Sequence, residues 1–357
     1  VPCASGLPGT ARQLREDPAG VLVTAGPVLA AGIIGAGWIG RRHATTLAGR
    51  GDVAVRAVCD PDLSRAQAVA ADSGGEVFSD WHEMLEKVPL DAVWVCTPPR
   101  AHADPAIACL GRGLALYLEK PIARSLDDAR SIVAATERGQ AVCAVGYQWR
   151  AVDVLDDLRR ALAGQTVGCL VGQSIGGTQS RPWFLDRAAG GGNLLERGSH
   201  HIDLARVLAG EVVAVQAAAA TARLAPGRGG DIEDAVTLVL RFAAGGIGTI
   251  IVAWTSDSLP GSYWVEVIAG DVGVRLDLDP HFRLTGTSNG APVLATSHAQ
   301  PFERSVDRFI AAARAGDPEL VFCTPADAAE TLAVAAAAEA ALNSGRTVLT
   351  GNPSGAV

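Results

Sequence analysis

The chain has 357 residues, 48% of them hydrophobic and 19% charged, with a formal net charge of −8. That length suits two domains better than one core, and the balance of apolar and charged residues is that of a globular protein. The acidic balance and the lack of any basic run exclude electrostatic binding of nucleic acid.

Residues 1–27 are rich in Gly, Pro and Ala. An apolar stretch runs from Val21 to Ile34, but no basic start lies directly ahead of it, and Asp17, Pro18 and Pro27 interrupt the region. The segment reads as an N-terminal extension, not a signal peptide or membrane span. The seven cysteines include no CxxC pair, and Cys59, Cys96 and Cys143 sit in apolar runs, so buried core thiols and a cytoplasmic location are expected.

From Val28 to Arg150 short apolar strands alternate with helical segments. Strands are expected at Val28–Ile34, Val53–Asp60, Ala92–Thr97, Leu114–Glu119 and Ala141–Tyr147, with helices near Ile39–Ala48, Leu63–Ala71, Trp81–Lys87, Asp104–Arg112 and Leu126–Arg138. Continuous apolar strands joined by helices imply right-handed crossovers and a parallel sheet. The fold class is therefore α/β: a doubly wound Rossmann domain over residues 28–150. After Arg150 the rhythm changes. A helix at Val152–Ala163 leads to a strand at Val167–Ser174, a Gly turn at Gly190–Gly192 and a helix over Asn193–Leu208. Long strands follow at Val212–Arg223, Ala235–Phe242, Gly246–Trp254, Tyr263–Ala269 and Gly273–Leu278, then helices at Phe302–Ala315 and Pro325–Leu342. Short turns such as Ala243–Gly246 favour antiparallel pairing, so residues 151–357 are expected to form an α+β domain with a large open sheet.

The sequence Gly35-Ala36-Gly37-Trp38-Ile39-Gly40 follows a strand and opens a helix. Gly35 permits the tight turn, Gly37 admits a pyrophosphate and Gly40 allows close helix–strand packing; the helix N-terminus then faces the anion. Asp60, twenty residues after Gly40, ends the second strand, where a carboxylate accepts ribose hydroxyls and repels a 2′-phosphate. NAD is thus favoured over NADP. Thr97-Pro98-Pro99 lies at the carboxyl edge of the sheet, and His102 opens the next helix, in a structural or cofactor-edge role. Glu119-Lys120-Pro121 ends another strand at that edge. Lys120 is one of two lysines in the chain and is placed to stabilise charge on a reacting oxygen, while Pro121 is a candidate cis peptide. In the second domain Glu196, His200 and Asp203 stand at i, i+4 and i+7, on one face of a helix. A carboxylate and an imidazole so placed can hold a diol and take its proton. His201 points elsewhere. No third metal ligand is evident, and no metal is expected.

These motifs, with Gly146-Tyr147-Gln148-Trp149-Arg150, occur in an order that resembles the Gfo/Idh/MocA family of glucose–fructose oxidoreductases, inositol dehydrogenases and rhizopine-catabolism proteins, over about residues 28–350. The resemblance implies a catalytic lysine at Lys120, a proton acceptor at His200, and an acidic partner at Glu196 where the family usually has aspartate. It implies cofactor contacts around Gly35–Gly40, Asp60, Thr97, Pro98, His102, Glu119 and Lys120. Substrate contacts are implied at Tyr147, Gln148 and Arg150, with Trp183 and Arg181 closing over the pocket. The expected activity is hydride transfer between nicotinamide and a secondary alcohol of a sugar, cyclitol or related polyol. A homodimer or homotetramer through the C-terminal sheet is implied as well. An NAD-dependent glycosidase of the same fold and a non-catalytic dinucleotide-binding regulator are the alternatives. Arg150, Arg181, Arg197 and His201 leave an acidic or phosphorylated sugar open.

Overall fold

The structure is a computed structural model. It describes residues 27–162, 164–177, 181–221, 230–255 and 260–356, and a short strand pair at Arg15–Glu16 and Leu22–Val23. The rest of the 1–27 extension, and the end of the expected Val212–Arg223 strand, lie outside the described residues.

Six parallel strands form the first sheet: β1 (Leu29–Ile34), β2 (Val53–Cys59), β3 (Glu76–Phe78), β4 (Ala92–Val95), β5 (Ala115–Leu118) and β6 (Cys143–Val145). Their order across the sheet is β3-β2-β1-β4-β5-β6. The order reverses between β1 and β4, which opens a crevice at the carboxyl ends of those strands. Strands β4, β5 and β6 are buried at every position, which is why they read as unbroken apolar runs. Helices α1 (Trp38–Ala48), α2 (Leu63–Ser73), α3 (Trp81–Lys87), α4 (Ala103–Gly111) and α5 (Leu126–Gly139) supply the crossovers. Asp62, Asp80 and Ser125 cap α2, α3 and α5 by accepting backbone N–H groups of the first turn.

Helix α6 (Leu155–Leu162) leads into the second sheet. Its strands are β7 (Cys169–Gly177), β8 (Val212–Ala220), β9 (Ala235–Phe242), β10 (Ile247–Thr255), β11 (Ser262–Ala269), β12 (Val272–Leu278), β13 (Arg283–Ser288), β14 (Ala291–Thr296), β15 (Val348–Leu349) and β16 (Asn352–Ala356). They lie in the order β14-β13-β12-β11-β7-β10-β9-β8-β15-β16, antiparallel except where β7 pairs with β10. Burial alternates along β7, β9 and β12, so one face is core and the other is open. Helix α7 (Ser199–Ala209) and helix α9 (Pro325–Ser344) cover the core face. Helix α8 (Pro301–Ala315) crosses back: Phe302, Val306, Phe309 and Ile310 pack with Leu29, Ile33, Trp94 and Tyr117 of the first sheet.

The β13–β14 hairpin is absent from the sequence expectation, because Thr, Gly, Ser and Pro dilute its alternation. Five of the six described cysteines, including Cys59, Cys96 and Cys143, are buried free thiols. Among the described residues no helix is long and apolar enough to cross a membrane.

Candidate active site

A cleft of about 1350 Å³ runs between the carboxyl edge of the first sheet and the covered face of the second. At one end lies the glycine turn. Gly35 has φ +99°, and a Cβ there would stand 2.7 Å from the Cys96 carbonyl carbon. At Gly40 a Cβ would lie 1.9 Å from the Gly35 oxygen, whereas at Gly37 it would meet nothing within 4 Å. Gly37, Trp38 and Ile39 line the cleft, and the N-terminus of α1 carries no side-chain cap. Free backbone donors beside an open, Cβ-free wall suit a pyrophosphate. Asp60 accepts Ala36 N at 2.8 Å and Asp62 N at 2.9 Å, which ties the strand end to the turn; its remaining lone pairs are available to ribose hydroxyls. The residues present therefore fit a nicotinamide dinucleotide. Thr97 and Pro98 also line the cleft.

His102 takes the structural one of its two expected roles, and its place among the cofactor contacts is corrected. It is fully buried, with Nε2 2.8 Å from the Thr97 carbonyl oxygen and Nδ1 3.0 Å from that of Pro121. The ring clamps two strand exits together and does not line the cleft.

The cleft is also lined by Glu119 and Lys120 of Glu119-Lys120-Pro121, with a cis bond between Lys120 and Pro121. Glu119 is buried; its Oε1 lies 2.8 Å from His43 Nε2 and its Oε2 accepts Lys120 N at 3.3 Å. Lys120 is thereby anchored from behind. Its Nζ donates to Glu196 Oε1 at 2.7 Å and to the Glu196 carbonyl oxygen at 2.8 Å. An ammonium has three N–H donors, so one is left for a ligand in the cleft.

The Gly turn ahead of Glu196 has a specific cause. Glu233 is buried and accepts Leu194 N at 2.8 Å, and a Cβ on Gly192 would lie 2.9 Å from its carboxylate. Gly191 and Gly192 have φ of +80° and +75°, conformations that glycine adopts without strain. Leu194–Gly198 then forms a π-helical turn that runs directly into α7. Such wide turns are frequent at functional sites, because they re-aim side chains within a helix. Here Glu196 meets Lys120, and His200 lies against Trp149 at 4.8 Å between ring centroids. Burial, reinforced by the charge of Lys120, holds His200 well below the ordinary imidazole range. Its Nδ1 is buried without a hydrogen-bond partner. The ring is neutral and can accept a proton. Burial pushes the Glu196 carboxyl up, and the Lys120 ammonium opposes that push.

Gln148, Trp183, Glu196 and His200 line the cleft as expected, and Arg181 stacks on Trp38 across it, its guanidinium carbon 5.3 Å from the ring centroid. Three expectations are corrected. Tyr147 is buried behind His200, its ring edge-on at 5.9 Å, and does not reach the cleft. Arg150 donates to Asp203 at 2.6 and 2.8 Å and also pairs with Asp327, so its guanidinium is committed. Asp203 accepts Arg150 and Thr331, so its carboxylate is committed to those partners and does not line the cleft. His201 packs under the sheet with Nε2 3.2 Å from the Trp264 carbonyl oxygen. Sequence reasoning missed His43 and Glu233, which act through Glu119 and the Gly turn, and Tyr263, which lines the cleft. No local pattern marks them, since each is brought in by a distant segment. Among the described residues no group of three or more His, Cys, Asp or Glu side chains could hold a metal ion.

A doubly wound sheet with a glycine turn and a strand-end acid, and a lysine at its carboxyl edge that meets a glutamate beside a histidine of the second domain, define a dinucleotide-dependent oxidoreductase. Residues 29–147 match the model of the oxidoreductase family with an NAD-binding Rossmann fold, and residues 165–287 match the GFO/IDH/MocA C-terminal domain. The chain belongs to the Gfo/Idh/MocA family of NAD(P)-dependent dehydrogenases, and its N-terminal part is the NAD-binding domain. It is 30% identical over 223 residues to myo-inositol 2-dehydrogenase of Thermotoga maritima, spanning 61% of this chain and 66% of that protein. It is 29% identical to the rhizopine catabolism protein MocA of Rhizobium meliloti, over 85% of this chain and 93% of that one. The crystal structure of GenD2 from gentamicin A biosynthesis, in complex with NAD, superposes with a TM-score of 0.78 at 24% identity, covering 92% of this chain and 97% of that chain.

Proposed function

We propose that the protein oxidises a secondary alcohol of a sugar, cyclitol or related polyol with NAD, and reduces the corresponding ketone in reverse. The observation that carries this reading is the Lys120–Glu196 contact at 2.7 Å in the same cleft as the neutral His200. NAD, which the Gly35–Gly40 turn and Asp60 would hold, would supply the hydride acceptor for the carbinol carbon. His200 accepts the hydroxyl proton, the third N–H of Lys120 stabilises the oxygen as charge develops on it, and Glu196 orients a neighbouring hydroxyl. Trp183 and the Arg181–Trp38 stack border the entrance and limit water. NAD is preferred over NADP: Asp60 disfavours a 2′-phosphate, and the nearby arginines are already paired, Arg65 with Asp62 at 3.2 Å and Arg41 with Asp72 at 2.7 Å.

Residues 28–150 act as the dinucleotide unit, and residues 151–357 hold substrate and assemble copies of the chain. The open face of the second sheet carries exposed Val239, Ile247, Ile268 and Leu294, which strand register places on one side. A homodimer or homotetramer covers them. The function is tested by following reduced-nicotinamide absorbance with NAD or NADP and a panel of inositols and aldoses, beside Lys120→Met and His200→Asn. NAD reduction lost in both variants, with NAD binding retained, is expected. Full activity in Lys120→Met overturns the assignment.

A further inference from the structure

We propose that the substrate carries a carboxylate, as a uronic or other sugar acid does, and that Arg197 with Tyr263 receives it as the specificity-determining pair. The inference rests on the dehydrogenase reading and deepens it.

Arg197 belongs to the π-turn, next in sequence to Glu196 and three residues before His200, and its side chain lines the same cleft. Its Nη1 donates to the carbonyl oxygens of Gly176 at 3.3 Å and Ala253 at 3.2 Å, and its Nη2 donates to Tyr263 Oη at 2.9 Å. The guanidinium carbon lies 5.1 Å from the Trp254 ring centroid and 5.7 Å from that of Tyr263. These contacts hold the plane of the guanidinium but supply no counter-charge.

Three other arginines on the cleft wall differ in this respect. Arg41, Arg42 and Arg65 each pair with a carboxylate, at 2.7, 3.6 and 3.2 Å. Arg197 and Arg181 form no ion pair among the described residues: Glu196 attracts both through space, but its carboxylate is paired with Lys120. Burial penalises the Arg197 charge and no direct ion pair offsets it, a cost that an anionic ligand repays. In a chain of net charge −8 the positive excess beside the acid–base groups is a local feature.

The hydrogen-bond inventory selects the kind of anion. Three of the five guanidinium N–H groups are committed, leaving Nε–H and one Nη2–H uncommitted among the described residues. Those two form the edge that grips a carboxylate side-on with two parallel bonds. Tyr263 Oη, which accepts from Arg197, keeps its own proton to donate. One guanidinium and one hydroxyl balance a monoanion better than a phosphate dianion. Position 176 is shaped for this pair: a Cβ there would lie 1.9 Å from Tyr263 Oη and 2.5 Å from Arg197 Nη2. The carboxylate is a spectator in the reaction; the carbinol C–H and O–H bonds break, and ketone, reduced nicotinamide and a proton are formed.

The test compares matched probes: D-glucuronate and D-galacturonate, their methyl esters, the parent hexoses, myo-inositol and glucose 6-phosphate. Turnover is followed by reduced-nicotinamide absorbance, and binding to the NADH complex by calorimetry. The acids are expected to be preferred over esters and parents by about 10–150-fold, the ratio that one charged hydrogen-bonded contact provides. Arg197→Met abolishes that ratio while NADH binding persists, and Tyr263→Phe reduces it by a smaller factor. Equal use or binding of acid and ester, or a loss in Arg197→Met that is the same for both, overturns the inference and leaves the dehydrogenase reading intact. Preference for glucose 6-phosphate overturns the carboxylate in favour of phosphate. Acid-selective, Arg197-dependent binding with no turnover supports the inference and counts against the dehydrogenase reading for these sugars.

Discussion

Lys120 works through the division of its three donors. Two are held by Glu196, and the carboxylate that holds them is itself desolvated, so the pair is rigid without being spent. Burial, and then the same ammonium, depress His200, which must be neutral to accept a proton. The sign follows directly. Protonation of His200 stops the reaction only at a pH below the ordinary imidazole value of about 6.5, so the acid limb of kcat/KM falls below that point. In Lys120→Met the charge is gone: His200 moves up towards the ordinary value, while kcat falls by about 100- to 1000-fold, as for loss of one donor to a developing oxyanion. Histidine ring-proton NMR titration reads the first effect and stopped-flow turnover the second. A His200 titration that stays put in the variant refutes the coupling. Sequence alone singled out Lys120 and His200, which the structure brings to one cleft, but left the exchange of aspartate for glutamate at Glu196 open. In the structure the longer side chain accepts from Lys120 Nζ at 2.7 Å. Arg150 and Tyr147 were misread because a motif gives their order and not their direction, and both turn inward.

The elements that carry the cofactor make a sharper test, because two glycines of one motif do different work. At Gly40 a Cβ would sit 1.9 Å from backbone, so Gly40→Ala must separate α1 from the β1 turn. It is expected to destabilise the free protein by about 1–3 kcal/mol and to lose NAD binding. At Gly37 a Cβ meets no protein atom within 4 Å. Gly37→Ala is expected to leave the Tm of the free protein unchanged and to weaken NAD by an order of magnitude or more, since the methyl occupies ligand space. Thermal unfolding with and without NAD separates the two, and a Gly37→Ala protein that binds NAD normally removes the pyrophosphate from this turn. These elements were legible in advance because continuous apolar strands and capped helices are local signals. The π-turn was not: its sequence, Leu194–Gly198, fits an ordinary helix, and only the distant Glu233 and the Gly192 approach reveal why it starts there. The β13–β14 hairpin was hidden for the converse reason, its strands lying at an edge and needing little apolar pattern.

At the scale of the whole molecule, helix α7 joins the parts. It carries His200 towards the cleft, Asp203 to Arg150 at the exit of the first domain, and His201 into the sheet, where a Cβ on Gly172 would lie 3.0 Å from the ring. His201 is fully enclosed, and burial lowers it to about 4, against the backbone carbonyl contact with Trp264 that favours its charged form. The unfolded chain restores it to about 6.5, so between those values the unfolded state binds the extra proton and stability rises with pH. The stabilising effect of burying a neutral His201 is therefore complete above about pH 6.5 and is lost as pH falls towards 4. Each pH unit within that window changes the unfolding free energy by up to about 1.4 kcal/mol for this one group. Glu196 and Asp203, whose carboxyls burial raises, act with the opposite sign, so the total slope of the wild type mixes several groups. The His201→Gln variant isolates the term: it is less stable at pH 8, having lost ring packing, but its stability falls less steeply from pH 6.5 to 4. Urea unfolding of both proteins at half-unit steps reads the difference. Parallel curves would mean that His201 is already solvated in the native state, and that α7 does not seat against the sheet in the way that fixes His200 over the cleft.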